Sequence, residues 1–196
     1  GAGALWNIHL RARPIPGAQA APGEQRQSAE ILMVNSGGAG ARPTIDGLNA
    51  TAFPSGVHAM SVEAPEPTGP ITVWRKEFRE GSGGAGALRG GLGQVVEIQA
   101  NEGHEFYFNA MFDRVEHPAR GRAGGADGAP GRVSLDDGTP LKAKGRQRVP
   151  AERRLVLELP GGGGFGNPTE RDPELVERDI ARGYLSAEQA RKEHGE

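Results

Sequence analysis

The stretch "LELPGGGGFGNPTERDPELVERDIARGYLSAEQARKE", Leu157 to Glu193, runs from an alternating apolar segment through four consecutive glycines into a strongly signalled helix. Leu155, Leu157 and Leu159 recur with a period of two, which places them on one face of an extended strand. After the glycines the period lengthens. Asp172 is suited to cap a helix, Pro173 to its first position, and Glu174 to the positive end of its dipole. Leu175, Val176 and Ile180 then form an apolar stripe, which Gly183 can end in the left-handed conformation. A second helix start follows at Ser186, with Gln189 at capping-box spacing. The stretch therefore predicts a sheet, a glycine junction and two short helices. Neither helix is long enough to persist alone in water, so the stripe is expected to pack on the sheet or on a partner.

Upstream, the period of two dominates. Trp6, Ile8 and Leu10 share a face, and "AEILMV" (Ala29 to Val34) reads as a second, buried strand. In "PITVWRKEF", Ile71 and Val73 fall on one face with Trp74 and Phe78 on the other. In "GQVVEIQA", Val96, Ile98 and Ala100 oppose Glu97 and Gln99, and in "HEFYFNAMF" Phe106, Phe108, Ala110 and Phe112 share a side. Asp137-Gly138 in "VSLDDGTPL" predicts a tight hairpin with positive φ at both central positions. The expected class is α+β: β-dominated, mostly antiparallel strands with glycine-rich loops and two short C-terminal helices. Residues 1–166 form the β-rich region and 167–196 a helical tail packed on it.

Composition supports many short strands and turns, because glycine contributes 32 of 196 residues and proline 15, in clusters between the apolar runs. A net charge of -2 gives no sustained field to hold a polyanion, so no nucleic acid partner is expected. With no cysteine, disulfides, thiolate metal sites and a cysteine nucleophile are excluded. No apolar run approaches the length of a membrane span, and a soluble, cytoplasmic protein without a membrane partner is the expectation. The chain opens on "GAGALWNIHL" without an initiating methionine, which suggests processing or a piece of a longer polypeptide.

Two glycine sets, Gly161/Gly163/Gly166 and Gly81/Gly83/Gly86, have G-x-G-x-x-G spacing. Neither opens directly onto a helix followed by a parallel strand, and neither carries the Lys-Ser/Thr of a P-loop. Close backbone packing accounts for them better, and no cofactor is expected in this segment. The five histidines, His9, His58, His104, His117 and His194, include no i, i+4 pair. No metal site is predicted from them, although His58 and His104 are free to meet by folding. There is no G-x-S-x-G elbow, and isolated "RGG"-like steps with few aromatics are better read as turns. Charged residues beside glycines remain: Glu63 and Glu66, Arg89, and Asp113-Arg114. An arginine at such a loop serves either a bound carboxylate or phosphate, or an internal carboxylate that pins the loop.

Read in order, "GGAGARPTIDGLNATAFPSGV", "SVEAPEP", "ITVWRKEFREGSGGAGALRGGLGQVVEI", "FDRVEHPARGRAGGADGAPG" and "LPGGGGFGNPTERDPELVERDIARGYLSAEQAR" resemble the C-terminal part of the hydantoinase B/5-oxoprolinase family, from about Asn35 onward. The resemblance implies the C-terminal segment, or a small subunit, of an ATP-dependent cyclic amide hydrolase. It implies a hydantoinase A-like partner that binds ATP, the N-terminal part of the B-type chain carrying a divalent metal, and hence a hetero-oligomer. Related members are ketone carboxylases, which keeps carboxylation open, and a non-catalytic scaffold is a third reading. Family members are more than twice this length, and the family's acidic residue before the second glycine block is Gly81 here. Catalytic residues are therefore not assigned; Ser82, Arg89, Asp113 and Arg114 are the candidates for supporting a substrate pocket or a subunit contact.

Overall fold

A computed structural model of the chain describes residues 3–18, 26–51 and 60–195. Among these residues, eight strands and two α-helices follow one another: β1 (Leu5–Pro14), β2 (Ala29–Ser36), β3 (Ile71–Phe78), β4 (Gln94–Ala100), β5 (His104–Met111), β6 (Arg132–Leu135), β7 (Lys144–Val149), β8 (Arg154–Glu158), α1 (Pro173–Ala181) and α2 (Ala187–His194). The strands form two sheets, ordered β2-β1-β5-β7 and β3-β4-β8-β6, and every pairing is antiparallel. The inward side chains of both sheets make one apolar core, with Trp6, Ile8, Leu10, Phe106 and Phe108 from the first, and Val96, Ile98, Leu155 and Leu157 from the second. Phe112 stacks on Trp6 with ring centroids 4.4 Å apart, while the indole N–H donates to the Asp113 carbonyl at 3.0 Å.

Three local expectations are corrected. β2 is one-sided rather than buried throughout, because Ile31 and Met33 face the core while Leu32 is 59% exposed. In β3 a bulge between Val73 and Arg75 resets the alternation, so that Lys76 lies opposite Val96 and Phe78 opposite Gln94. The Asp137-Gly138 turn has one positive φ rather than two. The Gly138 N–H donates to the Leu135 carbonyl and the Leu135 N–H to the Thr139 carbonyl, both at 2.9 Å, with Gly138 at φ 84°. Three residues, Asp136 to Gly138, thus make the loop, a turn closed by one left-handed glycine.

Beyond one end of the sheets, glycine-rich segments within residues 37–49, 81–93, 119–131 and 160–166 run with little regular secondary structure and bond backbone to backbone. Gly84 N–H donates to Gly162 C=O at 2.8 Å, Gly162 N–H to Gly91 C=O at 2.9 Å, Gly91 N–H to Ala39 C=O at 2.7 Å, and Gly164 N–H to Ala126 C=O at 2.9 Å. Such cross-bonding brings chains closer than any side chain allows. A Cβ on Gly161 would stand 1.7 Å from the Ser82 carbonyl oxygen, and one on Gly90 1.9 Å from that of Gly162.

The tail follows its predicted caps. Asp172 accepts from the Glu174 N–H, Ser186 from the Gln189 N–H, and Gly183 takes φ 68° after α1. The reciprocal half of the capping box is absent, since the Gln189 side chain instead donates to the Gly81 carbonyl at 3.3 Å and to Glu193 at 2.7 Å. The apolar stripe does not join the sheet core: Val176 and Ile180 close on Leu185 and Ala190 in a small separate cluster, and Leu175 is half-buried. The tail meets the body through polar contacts and through Tyr184, whose ring lies edge-on to Phe78 with centroids 5.8 Å apart.

Candidate functional site

The amide groups of the glycine motifs are largely spent on the fold. Gly161 N–H donates to Ala129 C=O at 3.1 Å, Gly166 N–H to Arg122 C=O at 3.1 Å, and Gly81 N–H to Tyr184 C=O at 2.9 Å. A phosphate cradle needs such groups unspent and convergent at a helix start, and these three amides are already bonded to backbone carbonyls. Among the described residues no group of three or more histidine, aspartate or glutamate side chains is placed to hold a metal ion. His104 is buried with Nδ1 3.2 Å from the Glu102 carbonyl, His194 Nδ1 lies 2.8 Å from the Pro168 carbonyl, and His9 faces Glu30. The expectation for His58 lies outside the described residues.

Ser82 and Arg89 belong to the same glycine-rich loop. Ser82 is buried; its hydroxyl donates to the Arg79 carbonyl at 2.6 Å and accepts from the Gly93 N–H at 2.9 Å, tying the two ends of the loop. Arg89 is buried as well. Its Nε meets Asp179 Oδ2 at 3.0 Å, its Nη1 donates to the Gly90 carbonyl at 2.6 Å and to Asn49 Oδ1 at 3.2 Å, and its guanidinium lies 5.3 Å from the centre of the Tyr184 ring.

Arg171, directly before the cap of α1, completes the arrangement. It is held bidentately by Asp46 at 2.9 Å on both oxygens, and its Nη2 also donates to Asp179 Oδ2 at 2.7 Å. Two arginines and two aspartates thus form a chain, Arg89–Asp179–Arg171–Asp46, in which opposite charges alternate. The Asp179 and Arg171 side chains are 1% and 0% exposed. Of the two readings open for Arg89, this geometry is the internal carboxylate pair, one that clamps the helical tail to the glycine-rich loops.

Asp46, Arg171 and Asp179 were not singled out from the sequence. Asp179 did carry a signal, since a carboxylate at i+3 from Val176, beside Ile180, sits on the buried side of an amphipathic helix. Asp113 and Arg114 lie apart, after β5. Asp113 is exposed and accepts from Lys144 Nζ at 2.7 Å, while Arg114 has φ 63° and its carbonyl accepts from the Gly131 N–H.

Between the outer face of β3, β4 and β8 and the turn joining the helices lies a cleft of about 530 Å³, with Val95 and Val156 beside Arg79, Glu158, Arg182 and Tyr184. It offers charge of both signs and an aromatic wall.

The clamp predicts an acid limit. Burial pushes the Asp46 carboxyl up, but the hydrogen bonds and charge of Arg171, with the N–H and charge of Arg89, outweigh it and hold the group below its ordinary 3.8. A carboxyl lowered in the folded state stabilises fully above its unfolded value and loses that contribution as pH falls through the folded one. Urea midpoints are therefore expected to fall as pH drops below about 4, and less steeply in Asp46→Asn. An identical acid slope in that variant would remove Asp46 from the cause.

The same chain pattern occurs in known proteins. Residues 3–168 match the family model described as hydantoinase B/oxoprolinase. The chain is 29% identical over 184 residues to the putative B-type subunit of a D-/L-hydantoinase from Pseudomonas sp. (strain NS671), covering 88% of this chain and 30% of that protein. It is 28% identical to the acetophenone carboxylase delta subunit of Aromatoleum aromaticum, covering 80% of this chain and 28% of that one. The crystal structure of ATP-dependent caprolactamase from Pseudomonas jessenii superposes with a TM-score of 0.73 at 24% identity, over 99% of this chain and 35% of that chain, and so shares the fold. The chain spans about a third or less of the length of these relatives. No helix among the described residues is long and apolar enough to cross a membrane.

Proposed function

The chain belongs to the hydantoinase B/oxoprolinase family, and on that footing we propose that it forms the C-terminal segment, or a small subunit, of the B-type component of an ATP-dependent cyclic amide hydrolase. A hydantoinase A-like chain binds ATP and activates the substrate, and the N-terminal portion of a B-type chain supplies the metal and the reacting groups, in a cytoplasmic hetero-oligomer. The observation that carries this reading is the match over residues 3–168, supported by relatives named as subunits. The segment's own contribution is architectural: Ser82 and Arg89 keep the glycine-rich loops in register with the tail, and Asp113 and Arg114 face outward for a subunit contact.

The acetophenone carboxylase relative favours a second reading, ATP-dependent carboxylation of a ketone. Expressed with an A-type chain and the N-terminal portion of a B-type chain, the protein is expected to co-purify with both. ATP turnover stimulated by hydantoins or 5-oxoproline supports hydrolysis, and stimulation by bicarbonate with a ketone supports the second reading. A lone monomer that leaves ATP turnover in the mixture unchanged would sink both and leave a non-catalytic scaffold.

A further inference from the structure

The outer face of the β2-β1-β5-β7 sheet carries a charge pattern that neither the core nor the clamp uses. Along β1 the inward residues are buried and the alternate ones, including His9, Arg11 and Arg13, face out. The register continues this face across the sheet: Arg11 lies opposite Tyr107 and Arg13 opposite Glu105, and on β7 Arg148 lies opposite Tyr107, Arg146 opposite Asn109 and Lys144 opposite Met111. Directly opposed residues of antiparallel strands project to the same side, so these side chains share one surface.

Their order is built. The Glu105 side chain, 3% exposed, is gripped by Arg13 Nε at 2.9 Å on one oxygen and by Arg148 Nε at 2.7 Å on the other. Arg13 and Arg146 both lie over the Tyr107 ring, 4.5 and 4.7 Å from its centre. Stacking on Tyr107 and ion pairing with Glu105 fix Arg13, Arg146 and Arg148 in advance, which lowers the entropy lost when a partner binds. Arg11, Arg13, Lys144, Arg146 and Arg148 outnumber the carboxylates that meet them, Glu30, Glu105 and Asp113, on a chain whose net charge is -2. Arg146 meets no carboxylate among the described residues. Leu32 and Met111, 59% and 65% exposed, add apolar contact on the same face.

We propose that this face is a docking surface for an acidic segment of a companion protein chain. Preordered arginines beside tyrosine and exposed apolar side chains are the composition of a protein interface. Nucleic acid fits less well, because the cationic surplus is small and the Tyr107 ring already carries two guanidiniums, leaving it unavailable to stack a base. That the companion is a chain of the same enzyme rests on the function proposed above; the acidity of its contact surface does not.

The test uses a labelled oligoglutamate peptide and, separately, a DNA duplex of equal charge, followed by fluorescence anisotropy. The peptide is expected to bind, and raising salt from about 50 mM to about 300 mM is expected to weaken it about tenfold. The double variant Arg11→Glu/Arg146→Glu, checked by circular dichroism to be folded, is expected to lose at least about tenfold in affinity. Lys192→Glu, on α2, should bind as the native chain does. Absence of peptide binding at low salt, equal binding by the double variant, or tighter binding of the DNA overturns the proposal. Peptide binding without any co-purifying A-type chain keeps the surface and removes the enzyme reading; co-purification without peptide binding does the reverse.

Discussion

Gly161→Ala is expected to cost on the order of 4 kcal/mol or more, enough to unfold a domain of ordinary stability. The new methyl group would stand 1.7 Å from the Ser82 carbonyl oxygen, 2.3 Å from its carbon and 2.9 Å from the Gly83 nitrogen, all backbone atoms that no rotamer change can move. Relief requires the two loops to part, which breaks neighbouring bonds such as Gly84 N–H to Gly162 C=O and Ala129 N–H to Ser82 C=O, each at 2.8 Å. The comparison is Gly138→Ala, where φ is 84° but nothing lies within 4 Å. That variant carries only the left-handed penalty of about 1–2 kcal/mol. Denaturant midpoints of the two variants separate the effects. A Gly161→Ala protein within about 1 kcal/mol of native would mean that the glycine-rich loops are not packed as described.

Asp179→Ala should cost about 3–5 kcal/mol and release the tail, because it strips one carboxylate from two arginines that cannot reach water in place. Asp179 Oδ2 serves Arg89 at 3.0 Å and Arg171 at 2.7 Å, and its loss leaves a surplus positive charge in a site where the Arg171 side chain is 0% exposed. The small cluster of Val176, Ile180, Leu185 and Ala190 is too slight to hold the helices by itself. Limited proteolysis is expected to cut the variant within residues 167–185 while the strands stay protected. A second variant, Arg171→Met/Asp179→Leu, removes one charge of each sign, so its loss should be smaller than the sum of the two single changes. Additive losses, or unchanged protease resistance in Asp179→Ala, would show that the clamp does not anchor the tail.

Much of the fold was legible because its signals are local. The shared faces of Trp6, Ile8 and Leu10, and of Phe106, Phe108, Ala110 and Phe112, are the buried faces of β1 and of β5 with its extension. The Asp172 and Ser186 caps need only the next few residues. In β3 the local pattern misled because the bulge is defined against β4, a neighbour in space. At Gly138 the loop closed by the Leu135–Thr139 bond holds three residues, with one left-handed glycine, where a two-residue turn needs positive φ at both.

The family match beginning at residue 3 also takes in β1 and nearly all of β2, ahead of the stretch from about Asn35 where the resemblance begins. Those strands carry plain alternation with little glycine. Alternation marks a strand in any β protein and identifies no family by itself.

Alternation and capping residues determined a β-dominated chain with two helices near its C-terminal end, since those signals are carried by residues close together in the chain, while the order of the motif blocks along the chain carried the family resemblance. Only the tertiary structure decided what Arg89 and Arg171 are for, because Arg89 meets Asp179 90 residues away and Arg171 meets Asp46 125 residues away as well as Asp179. It likewise decided which glycines are indispensable, through the distance from an absent Cβ to a carbonyl on another segment. Ion pairing and steric exclusion act over a few ångströms of space, and a sequence records those distances only after it has folded.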